Sequence, residues 1–335
     1  MASAPDQSFL VHYPGDVLRS AMDFELNELL ESHPLILAEA AIAERLRRMD
    51  GVTLHPTLFN APMIYVEHAG KLMAALYSEY VEIARSAGVP ILLAAPTWRL
   101  DRERIHDASV PDTINRDAVA YMRRIRAKSA YNRAVVGALL GPRKDCYDPQ
   151  AALAADEAEE FHQWQANELA SAGAEYLLAQ TIPAISEAEG MARAIIATGV
   201  PSIISFCINR SGKVLDGCPL DEAIARIDET TGGALTGYMV NCSHPTFLHP
   251  EKMDASALRR LIGFDANASS MDHQELEGSS TTRQDSREDW VEEMLKLNKN
   301  HGVKILGGCC GTDDSYLRGL VADMNKPTER MEYEA

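Results

Sequence analysis

Asn300-His301-Gly302-Val303-Lys304-Ile305-Leu306-Gly307-Gly308-Cys309-Cys310-Gly311-Thr312 compresses a complete α/β junction into one short segment. Amphipathic sequence ends at Asn300-His301, and Gly302 permits the left-handed cap that stops a helix. Val303 to Leu306 then reads as a short apolar strand. The glycines after it let the backbone bend sharply, so that Cys309 and Cys310 turn toward one point instead of the opposite faces that strand alternation dictates.

The same joint recurs upstream as Ser86-Ala87-Gly88-Val89, Ser171-Ala172-Gly173-Ala174 and Ala197-Thr198-Gly199-Val200. Strand candidates fall at Leu35 to Leu37, Val89 to Ala95, Ala134 to Leu140 and Glu175 to Ala179, then at Pro201 to Cys207, Gly237 to Asn241, Leu261 to Asp265 and Val303 to Leu306. Amphipathic helices separate them. Leu220, Ala223, Ile224 and Ile227 follow i, i+3, i+4, i+7 spacing, and Trp290, Met294 and Leu297 share one face. Eight strands alternating with helices predict a parallel sheet closed into a single-domain (β/α)8 TIM barrel, with an open doubly wound sheet as the alternative. The expected layout is an N-terminal helical extension over 1–32, the barrel over 33–325 and a tail over 326–335. A helical segment around Asp16 to Glu31 could close the bottom of the barrel or contact another subunit, which leaves room for a homo-oligomer. The polar segment Ala266 to Gln284 would project from the catalytic end, as a lid or as a solvated loop.

Composition narrows the function. The 335 residues are 46% hydrophobic and 24% charged, which supports a large core and excludes wholesale disorder. A net charge of -17, from 32 basic and 49 acidic residues, argues against nucleic acid as a partner. No apolar run approaches the roughly 20 residues of a membrane span, and Met1 to Pro14 shows no basic region leading into an apolar one. A cytoplasmic location is expected. Six cysteines in a chain of this length do not make a disulfide scaffold, and in a reducing compartment a local cluster points to metal or catalysis.

Cys242 ends the sixth strand candidate in Val240-Asn241-Cys242-Ser243-His244-Pro245. In a barrel it shares the C-terminal rim with Cys309 and Cys310, and three thiolates there meet the ligand count of a catalytic zinc with an open fourth position. Sulfur ligands select zinc over magnesium or calcium. The competing explanation, a small buried residue, is accepted for Cys146, Cys207 and Cys218. His244 could replace a cysteine as ligand but reads better as a loop residue supporting the site.

These segments resemble the zinc-dependent homocysteine S-methyltransferases, a family that includes betaine- and S-methylmethionine-homocysteine methyltransferases. GGCCGT at Gly307 to Thr312 and VNCSHP at Val240 to Pro245 are similar to the family's two zinc segments, which carries ligand roles onto Cys242, Cys309 and Cys310. Gly141-Pro142, QTIP at Gln180 to Pro183 and SFCINRSGKVLDG at Ser205 to Gly217 follow in family order, and Asn267 sits where the family has an asparagine in its substrate region. The resemblance implies a (β/α)8 barrel holding Zn2+ and a methyl transfer from a small onium donor to a thiol. Homocysteine is the implied acceptor and methionine the product, with no cobalamin or folate.

Departures bear on substrate. Where the family has Asp-Gly-Gly, Glu39-Ala40-Ala41 stands here, and the two methyl groups narrow the approach to the backbone. Gln180 replaces a family glutamate that accepts from the acceptor's amino group, keeping a hydrogen bond and losing the charge. A different thiol or donor with the same chemistry is therefore a second reading, and a noncatalytic zinc- or thiol-binding barrel a third. Trp98 falls where relatives carry aromatics and could hold an onium group by cation–π attraction or simply pack. Arg99 could pair with a substrate carboxylate or with Asp101.

Overall fold

In the computed structural model, which describes residues 25–271 and 284–326, eight parallel strands close into a barrel in the order β1 to β8, each paired with the next and β8 with β1. They are β1 Ile36–Leu37, β2 Ile91–Ala95, β3 Ala134–Leu140, β4 Leu177–Ile182, β5 Ser202–Phe206, β6 Gly237–Ser243, β7 Leu261–Ala266 and β8 Ile305–Gly308. All eight expected strands exist, and the open-sheet alternative falls.

Alternation along the strands divides two apolar layers. Ile36, Leu92, Val135, Ile203, Met239 and Ile305 fill the interior. Leu37, Ile91, Leu93 and Val136 point outward and pack against the helices. Leu220, Ala223, Ile224 and Ile227 are buried on one helix, as are Trp290, Met294 and Leu297 on another. The short helix α1, Leu26–Ser32, places Leu26 and Leu29 in the same cluster as the interior strand residues and so stoppers the barrel from below. The first part of the helix expected over Asp16 to Glu31 lies outside the described residues, as do 272–283 of the polar segment and most of the C-terminal tail. Among the described residues no helix is long and apolar enough to cross a membrane.

Two local expectations are corrected. Gly307 and Gly308 do not form the bend; they are the last residues of β8, and the chain turns after them, with Gly311 at φ 81°. Their missing side chains serve close approach instead. A Cβ on Gly307 would collide with Asp265 Oδ1 and stand 2.7 Å from Ala38 Cβ and 2.8 Å from the Glu39 carbonyl. The sixth strand does not end at Asn241 with Cys242 closing it: β6 continues to Ser243, so Cys242 lies inside it, and its register against β7 shifts between Asn241 and Ser243.

Candidate metal and substrate site

That shift is a bulge with a consequence for chemistry. Cys242 adopts φ 51° inside the strand, and Thr181 adopts φ 62° in β4, where the register against β5 also shifts. A β-branched residue at positive φ is a true outlier, costing of order 1–3 kcal/mol, and persists only where its surroundings impose it. Buried Asn241 imposes it. Its Oδ1 accepts from the Thr181 amide at 2.9 Å and from Ser205 Oγ at 2.7 Å, while its Nδ2 donates to Thr181 Oγ1 at 2.7 Å and lies 3.3 Å from Cys242 Sγ.

Cys309 and Cys310 are set from the other side. The Cys309 amide donates to the Ala266 carbonyl at 2.8 Å, the Ala268 amide to the Cys310 carbonyl at 2.9 Å, and the Cys310 amide to Asn267 Oδ1 at 3.1 Å. The outcome is convergence: the sulfurs of Cys242, Cys309 and Cys310 all lie within 4.8 Å of one another, with Cys242 Sγ 2.6 Å from Cys309 Sγ. Hydrogen bonds from Cys309 and Cys310 hold the Cys242 thiol well below its ordinary value. The same bonds raise Cys309 well above it and push Cys310 up to about 12. One sulfur ionises readily and its neighbours donate to it, whereas a divalent cation would let all three ionise. Three soft donors converging on one point fit zinc.

Among the other cysteines, Cys207 is fully buried and Cys218 half-buried, while buried Cys146 lines the same cavity as the cluster without joining it. His244 is not in the cluster; its Nδ1 bonds Thr246 Oγ1 at 2.8 Å, and its Nε2 is 3.7 Å from Asp285 Oδ2.

The cavity, about 610 Å³, opens at the C-terminal ends of the strands and brings together Glu39, Trp98, Gln180 and the three cysteines. A second cavity, about 470 Å³, lies at the opposite end beside Glu25, Pro201 and Thr236 and carries none of this chemistry. Asn267, expected at the substrate, is absent from the lining; its side chain fixes the Cys310 amide and its carbonyl accepts from Trp290 Nε1 at 2.9 Å.

Trp98 lines the cavity with its ring already engaged. It stacks on Phe59 at 5.8 Å, the Arg99 guanidinium lies 4.4 Å from its centroid, and Nε1 donates to the Gln180 carbonyl at 2.9 Å. Of the two roles open to Trp98, packing is the one seen: an internal cation holds the indole face that an onium group could have used. Arg99 does not pair with Asp101, which bonds Arg104. Its Nη1 reaches the Lys144 carbonyl at 3.2 Å, and its Nε is buried without a hydrogen-bond partner among the described residues.

Asp265 is the residue that sequence reasoning passed over, treating it only as the end of a strand. The available signal was an acid closing an apolar run at the catalytic rim. It is buried and lines the cavity, and its Oδ2 accepts from Gln180 Nε2 at 3.3 Å. Burial pushes its carboxyl up to about 7, against that hydrogen bond. Burial likewise raises Glu39 well above its ordinary value; the Ala94 amide, donating to Oε1 at 2.6 Å, opposes the rise and the Asp265 charge adds to it.

The sequence model of the homocysteine S-methyltransferases matches residues 18–324. The chain is 22% identical to homocysteine S-methyltransferase YbgG of Bacillus subtilis (strain 168) over 319 residues, 89% of this chain and 96% of the relative. It is 26% identical to selenocysteine Se-methyltransferase of Brassica oleracea var. italica over 167 residues, about half of each protein. Among solved structures it resembles in fold the metallated homocysteine methyltransferase MmuM from Escherichia coli, with a TM-score of 0.66 and 19% identity across 88% of this chain and 98% of that one. With the family match spanning nearly the whole barrel, the chain belongs to the homocysteine S-methyltransferase family and is an S-methyltransferase.

Proposed function

We propose that this S-methyltransferase moves a methyl group from a small onium donor, S-methylmethionine- or betaine-like, to the thiol of homocysteine, giving methionine. Cys242, Cys309 and Cys310 would hold zinc. The observation that carries the reading is the convergence of three sulfurs within 4.8 Å in the wall of a closed-barrel cavity. The acceptor named for YbgG and MmuM supports homocysteine.

Zinc, when bound, lowers the pKa of a coordinated thiol from about 8.5 so that it is a thiolate at neutral pH. The rest falls to the chain. Asn241 and Asn267 hold the two cysteine segments in place. Leu58, Phe59, Leu92, Leu139 and Met239 give the cavity apolar walls that exclude water. Arg99, without an ion-pair partner among the described residues, suits a substrate carboxylate. During transfer the acceptor sulfur bonds the methyl carbon as the donor's onium–carbon bond breaks, and the donor leaves neutral. Alignment is therefore the main demand on the protein.

Ala40, Ala41 and Gln180 support the second reading, another thiol or donor under the same chemistry. Membership in an enzyme family sets the noncatalytic barrel aside. The test pairs several thiols with several onium donors on zinc-loaded protein. Homocysteine giving the highest kcat/KM supports the first reading; another thiol winning moves the assignment to the second. Equal turnover by zinc-free protein would overturn the metal.

A further inference from the structure

We infer that Asp265, steered by Gln180, forms the anionic half of a pocket for a primary ammonium group, and that this group is the acceptor's amino group. The inference rests on an amino-acid thiol as acceptor.

Asp265 is 6% exposed and lines the cavity that holds the three sulfurs. One oxygen accepts from Gln180 Nε2; the other, Oδ1, is buried and has no hydrogen-bond partner among the described residues. A buried carboxylate with an empty oxygen is costly unless a cation completes it. Among the described residues no lysine, arginine or histidine forms an ion pair with Asp265 or with Glu39, the acid beside it. The site is therefore an acidic pocket that burial holds toward its neutral form until a cation enters, and the missing cation is a ligand's.

The donor set defines that ligand. Glu39 gives one oxygen to the Ala94 amide and keeps the other, so two carboxylates face one region with acceptor sites to fill. A primary ammonium brings three N–H donors and matches them. A sulfonium or quaternary ammonium brings none, so onium charge alone does not satisfy the pocket.

The neighbours agree with this geometry. Residue 180 as glutamine donates to Asp265, where a glutamate would repel it; the neutral amide aims a carboxylate that now stands on β7. On β8 the neighbour is Gly307, and any side chain there would collide with Asp265 Oδ1. Three strands thus cooperate in placing one carboxylate.

The test is calorimetric binding of L-homocysteine and of 4-mercaptobutanoate, the same thiol without the amino group, to zinc-loaded protein in the absence of donor. Wild type should prefer homocysteine by about tenfold or more, the value of a charge-assisted hydrogen bond. Asp265→Asn should shrink the preference below about threefold with zinc content unchanged, and adding Gln180→Glu to it should restore the preference by returning a carboxylate. A wild type without preference, or an Asp265→Asn protein that keeps it, overturns the site, and the wild-type measurement alone suffices if the variant does not fold. Turnover is assayed separately. Preference without homocysteine methylation supports the site and overturns the acceptor assignment, whereas methylation without preference overturns the site alone.

Discussion

An aspartate in water ionises near 3.8, whereas burial pushes Asp265 up to about 7, with Glu39 just after β1 and Tyr176 before β4 as ionisable neighbours and, among the described residues, Gln180 alone donating to it. Between those values the folded protein holds a proton that the unfolded chain has released. The contribution is fully present below the unfolded value and is lost as pH rises through the folded one, about 4 kcal/mol in all. Thermal melting of wild type and Asp265→Asn from pH 5 to 8 should therefore show wild type losing ground to the variant as pH rises. Parallel curves would mean that Asp265 does not titrate in this window. The sulfurs give a second residue-scale prediction. Serine at Cys242, Cys309 or Cys310 should leave purified protein with far less than one zinc per chain, whereas serine at Cys146 or Cys218 should not, as elemental analysis would report. The thiol cluster is legible in sequence because GGCCGT directly follows one strand candidate and VNCSHP closes another. Asp265 is not, because a lone acid at a strand end carries no spacing signal.

At the scale of elements, the site depends on paired irregularities in β4 and β6. Asn241 bridges them through Thr181 and Ser205 from the strand between. Asn241→Ala would leave the Thr181 amide unpaired and remove the restraint on two residues at positive φ. We expect a loss of about 2–4 kcal/mol in denaturant unfolding. Zinc affinity should fall about 10–100-fold in chelator competition, as when a supporting partner of a ligand is removed. An unchanged zinc affinity would show that the bulge does not position Cys242. Strand count and spacing are visible in the sequence, yet the bulges are not. When the residue at positive φ is cysteine or threonine instead of glycine, its type does not announce the conformation. Gly307 and Gly308 mislead in the opposite sense, because their lack of a side chain makes room across strands and not a turn along one.

At the scale of the whole molecule, closure of the barrel makes both its interior core and its cavity, and α1 completes the core from below. Leu29→Ala should cost about 2–5 kcal/mol, as for other large-to-small changes in a packed interior. It should lower the thermal midpoint without altering zinc stoichiometry, and a midpoint equal to wild type would mean that the stopper is dispensable. The sequence by itself determined the eight-strand alternation, the rim position of the three thiols and the family, because periodicity, glycine joints and short motifs are local properties. Only the tertiary structure decided that Gln180 on β4 meets Asp265 on β7, that Arg99 occupies the Trp98 ring, and that Asn267 holds a cysteine amide instead of lining the cavity. Gln180 and Asp265 lie 85 residues apart. Closing the sheet sets their strand ends against one cavity, and no local pattern records which side chain will then find which partner.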